Sequence, residues 1–260
     1  MKKSIVLPLC ICLFIVSFLT GCGSDTDDSS PLSSSEIVKM YQDPDSYKGR
    51  YVELSGEVLY VDGSLFQLYR HNVDYPDTTV VYISGIDNLT LNRGDYVIVS
   101  GTVDGTVTGT SFDGTATEAA AITAESVTIS DYQTIVSPAL KTLEVNQSQD
   151  HSGVTVTLEK IEFAAEETRF YIKIDNQSGA DYTAFEFGSK AVQNGNNYPY
   201  RENFEADYPH FPDPIQSGSS AEAIFATSEL NSSAALQFIF DGFSADPGLH
   251  PGHYTFDAAG

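Results

Sequence analysis

Val52-Glu53-Leu54-Ser55-Gly56-Glu57-Val58-Leu59-Tyr60 carries the periodicity from which the rest of the architecture follows. Val52, Leu54, Val58 and Tyr60 alternate with Glu53, Ser55, Glu57 and Leu59, the two-residue period of a strand with one face in a core. Gly56 in its middle marks a bulge or sharp bend, because a glycine inside a strand gives up side-chain packing in exchange for close backbone approach. Reading forward, residues 65–69, 79–83, 96–103 and 121–129 carry similar β-branched and aromatic runs. Asp62-Gly63, Asn92-Arg93-Gly94-Asp95 and Asp104-Gly105 stand between them as turns, and the Gly-rich run at 101–114 reads as turn chemistry of the same kind. Five strands without a helical crossover predict a small closed barrel.

Reading backward, Ser33 and Glu36 have the spacing of a helix capping box, and Ile37, Met40 and Tyr41 give one short helix an apolar face before Asp43-Pro44 ends it. Residues 23–35 are rich in Ser and Asp with almost nothing apolar to bury, the composition of a flexible tether. Ahead of it, Lys2-Lys3 and an apolar run between Ile5 and Leu19 lead into Leu19-Thr20-Gly21-Cys22, which resembles the lipobox of bacterial lipoprotein signal peptides. About 15 apolar residues interrupted by Pro8 fall short of the roughly 20 needed to span a bilayer. The resemblance implies cleavage before Cys22 and a diacylglyceryl group on its thiol, with stable attachment because two chains insert where one would be marginal. Cys10 and Cys12 leave with the leader, so no thiol is expected to serve a disulfide or a metal.

The mature chain keeps 36 acidic and 11 of the 13 basic residues, a net charge near −25. Such a field repels polyanions, so nucleic acid is not an expected partner and cations or basic partners suit it better.

Residues 34–131 resemble the OB-fold domains of the tRNA-anticodon-binding-like group, on Glu36-Ile37-Val38 to Tyr41, Tyr47-Lys48-Gly49-Arg50, Val52 to Val58 with Gly56, and Gly94-Asp95-Tyr96-Val97 to Val99 followed by Gly101-Thr102-Val103 and Gly105. The family name implies nucleic acid, but the segment holds 15 acidic against five basic residues. OB-folds also take oligosaccharides.

After Ser137-Pro138 a second strand-rich block begins. Val154, Val156 and Leu158 alternate, the phase slips near Lys160 before Ile161 and Phe163 as at a bulge, and Phe170, Ile172 and Ile174 alternate again up to Asp175-Asn176. Asn194-Gly195 signals a hairpin between Ala191-Val192 and Tyr198, and 221–227, 236–240 and 254–256 supply later strands. About seven short strands predict a sandwich. The block resembles the immunoglobulin-like, telokin-like domain of unknown function that ends Gram-positive lipoproteins. The likeness rests on Val154 to Phe163, Phe170 to Gly179, Gln193 to Tyr198, and Ile215 to Ser220, with Ser217 where that family commonly has Pro.

The expected fold is all-β: a small OB-type barrel with a short N-terminal helix, then an immunoglobulin-like β-sandwich. Its expected division is leader 1–21, tether 22–35, barrel 36–134 and sandwich 139–260. Neither resemblance implies catalytic residues, and no Gly-x-Ser-x-Gly elbow or phosphate-cradling glycine loop occurs. His250-Pro251-Gly252-His253 reads as a turn without a third ligand, and Asp25-Thr26-Asp27-Asp28 as solvated tether, so no metal or cofactor is expected. The aromatic, proline-rich loop with Tyr208, His210 and Phe211 either completes the sandwich core or offers a contact surface. Asn-x-Ser/Thr triplets at Asn88, Asn146, Asn176 and Asn231 receive no role in a bacterial lipoprotein.

The expected function is therefore a non-enzymatic binding or accessory module, lipid-anchored through Cys22 on the extracytoplasmic face of a Gram-positive membrane, for an envelope protein or glycan. The alternatives are a carboxylate-based envelope hydrolase and a small-ligand or cation binder. Transporter solute capture fits poorly, since such proteins alternate strands with helices.

Overall fold

The computed structural model describes residues 30–71, 78–83, 86, 89–110, 116–249 and 252–259. Cys22, the acidic run 25–28 and His250 lie outside them.

Helix α1 (Ser34–Gln42) starts where the capping box sets it: the Ser33 N–H and hydroxyl both donate to the Glu36 carboxylate, at 2.8 and 2.6 Å. Its inward residues Ile37 and Met40 are buried against the barrel core of Val52, Leu54, Val58, Phe66, Leu68, Val97 and Ile122. Burying a side chain of Met40's size contributes about 2 kcal/mol, which is what holds so short a helix in place. Strands β1 (Tyr51–Asp62), β2 (Leu65–Tyr69), β3 (Thr78–Tyr82), β4 (Tyr96–Thr110) and β5 (Ala116–Ser130) close in the order β1-β2-β3-β5-β4. β3 and β5 run parallel and the other pairs antiparallel. Closure leaves no barrel edge for another chain to pair with.

Over residues 101–110 the Gly-rich run corrects the sequence reading, and residues 111–114 lie outside the described ones. Asp104-Gly105 does not reverse the chain; Gly101, Gly105 and Gly109 lie inside β4, which pairs with β5 to Thr110. The register shifts at Ser100/Gly101 and Val103/Gly105, and Gly105 has φ of +99°. At that bulge the Asp45 carboxylate accepts the Thr106 N–H at 2.9 Å, and a Cβ on Gly105 would stand 2.3 Å from the same oxygen. The glycines bend a long strand where the expectation was a turn. At Gly56 the neighbouring register shift falls two to four residues later, between Val58 and Tyr60, while Gly56 itself lies under the Tyr69 carbonyl.

The short helix α2 (Tyr132–Ile135), capped by the Asp131 carboxylate on Thr134 N–H, leads into the second unit. Its strands β6 (Lys141–His151), β7 (Val154–Phe163), β8 (Glu167–Asn176), β10 (Lys190–Gln193), β11 (Asn196–Pro199), β12 (Ser219–Ser228), β13 (Leu236–Phe240) and β15 (Tyr254–Ala258) form one sheet in the order β12-β8-β7-β6 and another in the order β11-β10-β13-β15. β9 (Tyr182–Ala184) and β14 (Gly242–Ser244) form a separate two-stranded ribbon. The core lies between the sheets, where Phe170 of one stacks on Phe238 of the other at 4.5 Å. Asn194 and Gly195, at φ of 53° and 78°, make the two-residue β10–β11 turn. Asn176 is fully buried, donating to Ala180 O and Ile215 O and accepting from Ser178 N–H and hydroxyl, so this triplet serves the fold.

The Tyr182 hydroxyl is buried without a hydrogen-bond partner among the described residues, and a Cβ on Gly242 would meet it at 2.0 Å. Burial drives that phenol's pKa upward, with the neighbouring Tyr254 and Asp241 adding to it. An orphaned buried hydroxyl costs about 1–3 kcal/mol of desolvation. Tyr182→Phe is therefore expected to leave stability unchanged or raise it by about 1 kcal/mol in thermal denaturation; a loss of more than that would mean the hydroxyl has a partner.

Candidate functional site at the seam of the two units

A bulge creates this site. In β7 the inward residues are Val154, Val156 and Leu158, then the register against β8 shifts between Leu158 and Lys160 and the inward set becomes Ile161 and Phe163. Lys160 and Glu162 are thereby turned to the outer face of the sheet, where Glu162 lies directly across from Arg169 and Arg169 across from Ala226. A guanidinium cannot be buried there unpaired.

Arg169 is fully buried and uses its whole donor fork. Nε and Nη2 both reach Glu162 Oε2, at 3.1 and 3.0 Å, while Nη1 donates to Glu167 Oε1 at 2.9 Å, to Ser137 O at 2.7 Å and toward the Tyr208 hydroxyl at 3.4 Å. Tyr208 donates its own proton to Glu167, and Tyr171 donates to Glu162 at 2.7 Å. Burial alone would raise the Glu162 carboxyl; hydrogen bonds from Lys160 and Tyr171 and the charge of Arg169 outweigh it and hold the group below the ordinary range. Burial likewise pushes the Tyr171 and Tyr208 phenols upward, so both stay protonated donors.

Through these bonds Arg169 ties three chain segments together: the sheet, the linker at Ser137, and the loop that carries Asn203 and Tyr208. Asn203 donates to the second oxygen of Glu167 at 3.1 Å. An aromatic series continues from there into the barrel, with Tyr208 edge-on to Tyr132 at 6.2 Å, Tyr132 edge-on to Tyr96 at 5.8 Å, and Tyr96 against His71 at 5.9 Å. The Tyr96 hydroxyl donates to Glu205 O at 3.1 Å. Among the described residues the units therefore meet through packed rings and through hydrogen bonds such as the one from Tyr96 to Glu205 O.

Above this floor lies a cleft of about 780 Å³. The barrel contributes His71; α2 and the linker contribute Tyr132, Val136, Ser137, Pro138 and Leu140; the sandwich contributes Ala165, Glu166, Glu167 and Thr227; and the loop contributes Arg201, Glu202, Asn203, Phe204 and Glu205. Leu140 and Phe204 are 75% and 85% exposed at its rim. The Tyr132 phenol feels the charge that converges here. Burial first, then Glu167, Glu205 and Glu166, raise its pKa against a hydrogen bond with Asn203. Clefts at domain seams with an apolar rim and a few convergent polar groups are where small molecules and chain segments bind.

The residues singled out in the sequence fall elsewhere. Cys22 lies outside the described residues. His253 pairs with Asp241 at 2.5 Å at an exposed position, and among the described residues no group of three or more His, Cys, Asp or Glu side chains is arranged to hold a metal. The proline-rich loop folds back: Tyr208 and Ile215 are buried, Phe211 packs edge-on to Phe240 at 5.8 Å, and His210 pairs at the surface with Glu186 at 3.3 Å. Sequence reasoning missed Arg169, Glu162, Glu167 and the Glu202-to-Glu205 wall. The available signal was an arginine inside an apolar strand with acids two and seven residues before it.

No family model, no curated protein and no solved structure matches the chain.

Proposed function

We propose that this protein is a lipoprotein of the extracytoplasmic membrane face, anchored through a diacylglyceryl group on Cys22, and that it acts without catalysis as a binding or accessory module for an envelope protein or glycan. The anchor rests on Leu19-Thr20-Gly21-Cys22 after a basic, apolar leader. The binding role is carried by one observation, the open cleft between barrel and sandwich. A Ser- and Asp-rich tether lets such a module stand away from the bilayer and reach a neighbour.

Expressed in its own membrane, the Cys22→Ala protein is expected to lose incorporation of labelled fatty acid and to remain uncleaved by the lipoprotein route. Retained lipid label would remove the anchor assignment. Cross-linking on living cells, with that variant as control, is expected to capture a defined envelope component from the wild type alone. Measurable turnover of a peptidoglycan or ester substrate, abolished by a single Glu substitution in the cleft, would instead favour a hydrolase.

A further inference from the structure

We infer that the cleft receives an extended basic segment of a partner protein, with a Lys or Arg side chain among Glu166, Glu202 and Glu205 and an apolar side chain against Phe204 and Leu140. The inference rests on the binding-module reading and names the partner's chemistry.

Charge and shape in one cavity point to this occupant. Glu167 is already neutralised from beneath by Arg169, whereas Glu166, Glu202 and Glu205 form no ion pair among the described residues and face a single lining guanidinium, Arg201. The lining is therefore an anionic concavity, and its low-dielectric walls focus the field. A simple metal ion or polyamine would satisfy the carboxylates yet leave Phe204 and Leu140 in water. Only a chain combining positive charge with apolar surface covers both, and an aromatic ring beside charged groups is the usual anchor of a protein contact. Other occupants conflict with the charge. The chain's own tether carries Asp25, Asp27 and Asp28, and a second copy brings a strongly negative surface. Anionic envelope polymers are repelled in the same way.

The cleft wall is also held in shape before binding. Asn203 and Tyr208, flanking Phe204 and Glu205, are bonded to Glu167, and Glu205 O accepts from Tyr96. A wall fixed in advance loses less entropy on binding than a free loop.

The test uses the acylated protein in vesicles of neutral phosphatidylcholine, which add no surface charge. Fluorescence anisotropy follows a labelled eight-residue peptide of alternating Lys and Leu, the same peptide with Glu for Lys, one with Ser for Leu, and spermidine as competitor. The Lys-Leu peptide is expected to bind at least tenfold more tightly than either other peptide and to weaken as salt rises from about 50 to 200 mM. The Glu202→Gln/Glu205→Gln protein and the Phe204→Ala protein should each lose at least tenfold in affinity. All three side chains are exposed, so circular dichroism should report unchanged folding. Equal affinity for the Glu peptide, full displacement by spermidine alone, or indifference to both variants would overturn the inference. Cross-linking on cells separates the two levels: a partner still captured by the cleft variants sinks this inference and leaves the binding role standing, whereas no partner from the wild type sinks the role itself.

Discussion

Arg169→Met is expected to destabilise the protein by about 3–5 kcal/mol, because it leaves buried Glu167 without a cation and Glu162 with Lys160 alone. Methionine fills much of the arginine's volume, so the loss reports mainly on electrostatics and hydrogen bonding. The cost is in the uncompensated charge, not in any large stabilisation by the original pair. Burying an ion pair roughly cancels Coulomb gain against desolvation. Replacing Arg169, Glu162 and Glu167 together by Met, Leu and Leu is therefore expected to recover part of the loss. Recovery stays incomplete, since Tyr171, Tyr208, Asn203 and Ser137 O then lack their partners. Chemical denaturation of the three proteins measures this, and a single variant within about 1 kcal/mol of wild type would mean the network is not buried as described.

Acid titration gives the same prediction a second readout. The folded-state pKa of Glu162 is lowered from its ordinary value near 4.5. Between the lowered value and about 4.5 the unfolded chain binds a proton that the folded chain does not, so stability rises with pH across that window. This contribution is complete above about pH 4.5 and disappears as pH falls through the folded value. Arg169 is among the causes of the lowering, so its removal should narrow the window and flatten the acid arm. In the same variant the Tyr208 loop loses one of its ties, which should loosen the cleft wall and weaken peptide binding beyond what the global stability change explains.

The all-β fold was legible because strand burial here is written in two-residue alternation. Val52, Leu54 and Val58 in the barrel, and Val154, Val156 and Leu158 in the sandwich, face inward as their spacing predicts, whereas Tyr60, expected on the same face, is turned outward by the register shift after Val58. The slip near Lys160 was also legible, and it proves to be the feature that aims Glu162 at Arg169. Strand β6 was not legible: its side chains are mostly exposed or half-buried, with Leu143 and Val145 too short a period to read, so pairing with β7 and the Gln147 and Gln149 bonds to β15 define it. The ribbon β9–β14 is three residues long on each side and too short for any period. The cleft was invisible for a different reason. Its walls come from His71, Tyr132, Glu166 and Phe204, residues distant in sequence and brought together by the packing of Tyr96, Tyr132 and Tyr208. Each taken alone looks like an ordinary surface residue.

Gly56→Ala is expected to cost about 3 kcal/mol or more, although the change is one methyl group in a strand where alanine is ordinarily the better residue by roughly 0.5–1 kcal/mol. A Cβ at this position would stand 2.1 Å from Tyr69 O and 2.9 Å from Tyr69 C. Those are backbone atoms of β2, so no rotamer change can relieve the contact, and either β1 or β2 must move. The site is where β1 passes from pairing with β4 to pairing with β2: Gly56 lies across from Val97, and Glu57 across from both Tyr96 and Tyr69. A barrel closes only if β1 can bend there. Gly109→Ala is the control, a glycine in β4 with nothing within 4 Å of the added Cβ, and should stay within about 0.5 kcal/mol of wild type. Calorimetry distinguishes them, with a fall of roughly 12–24 °C in the barrel transition for Gly56→Ala and little for Gly109→Ala. The displaced Tyr69 lies two residues before His71, whose ring it meets edge-on at 5.0 Å and which lines the cleft. Below its lowered melting point, Gly56→Ala should therefore also bind the Lys-Leu peptide less tightly than Gly109→Ala does. Equal stability of the two variants would show that β1 and β2 do not approach as closely at Gly56 as the barrel requires.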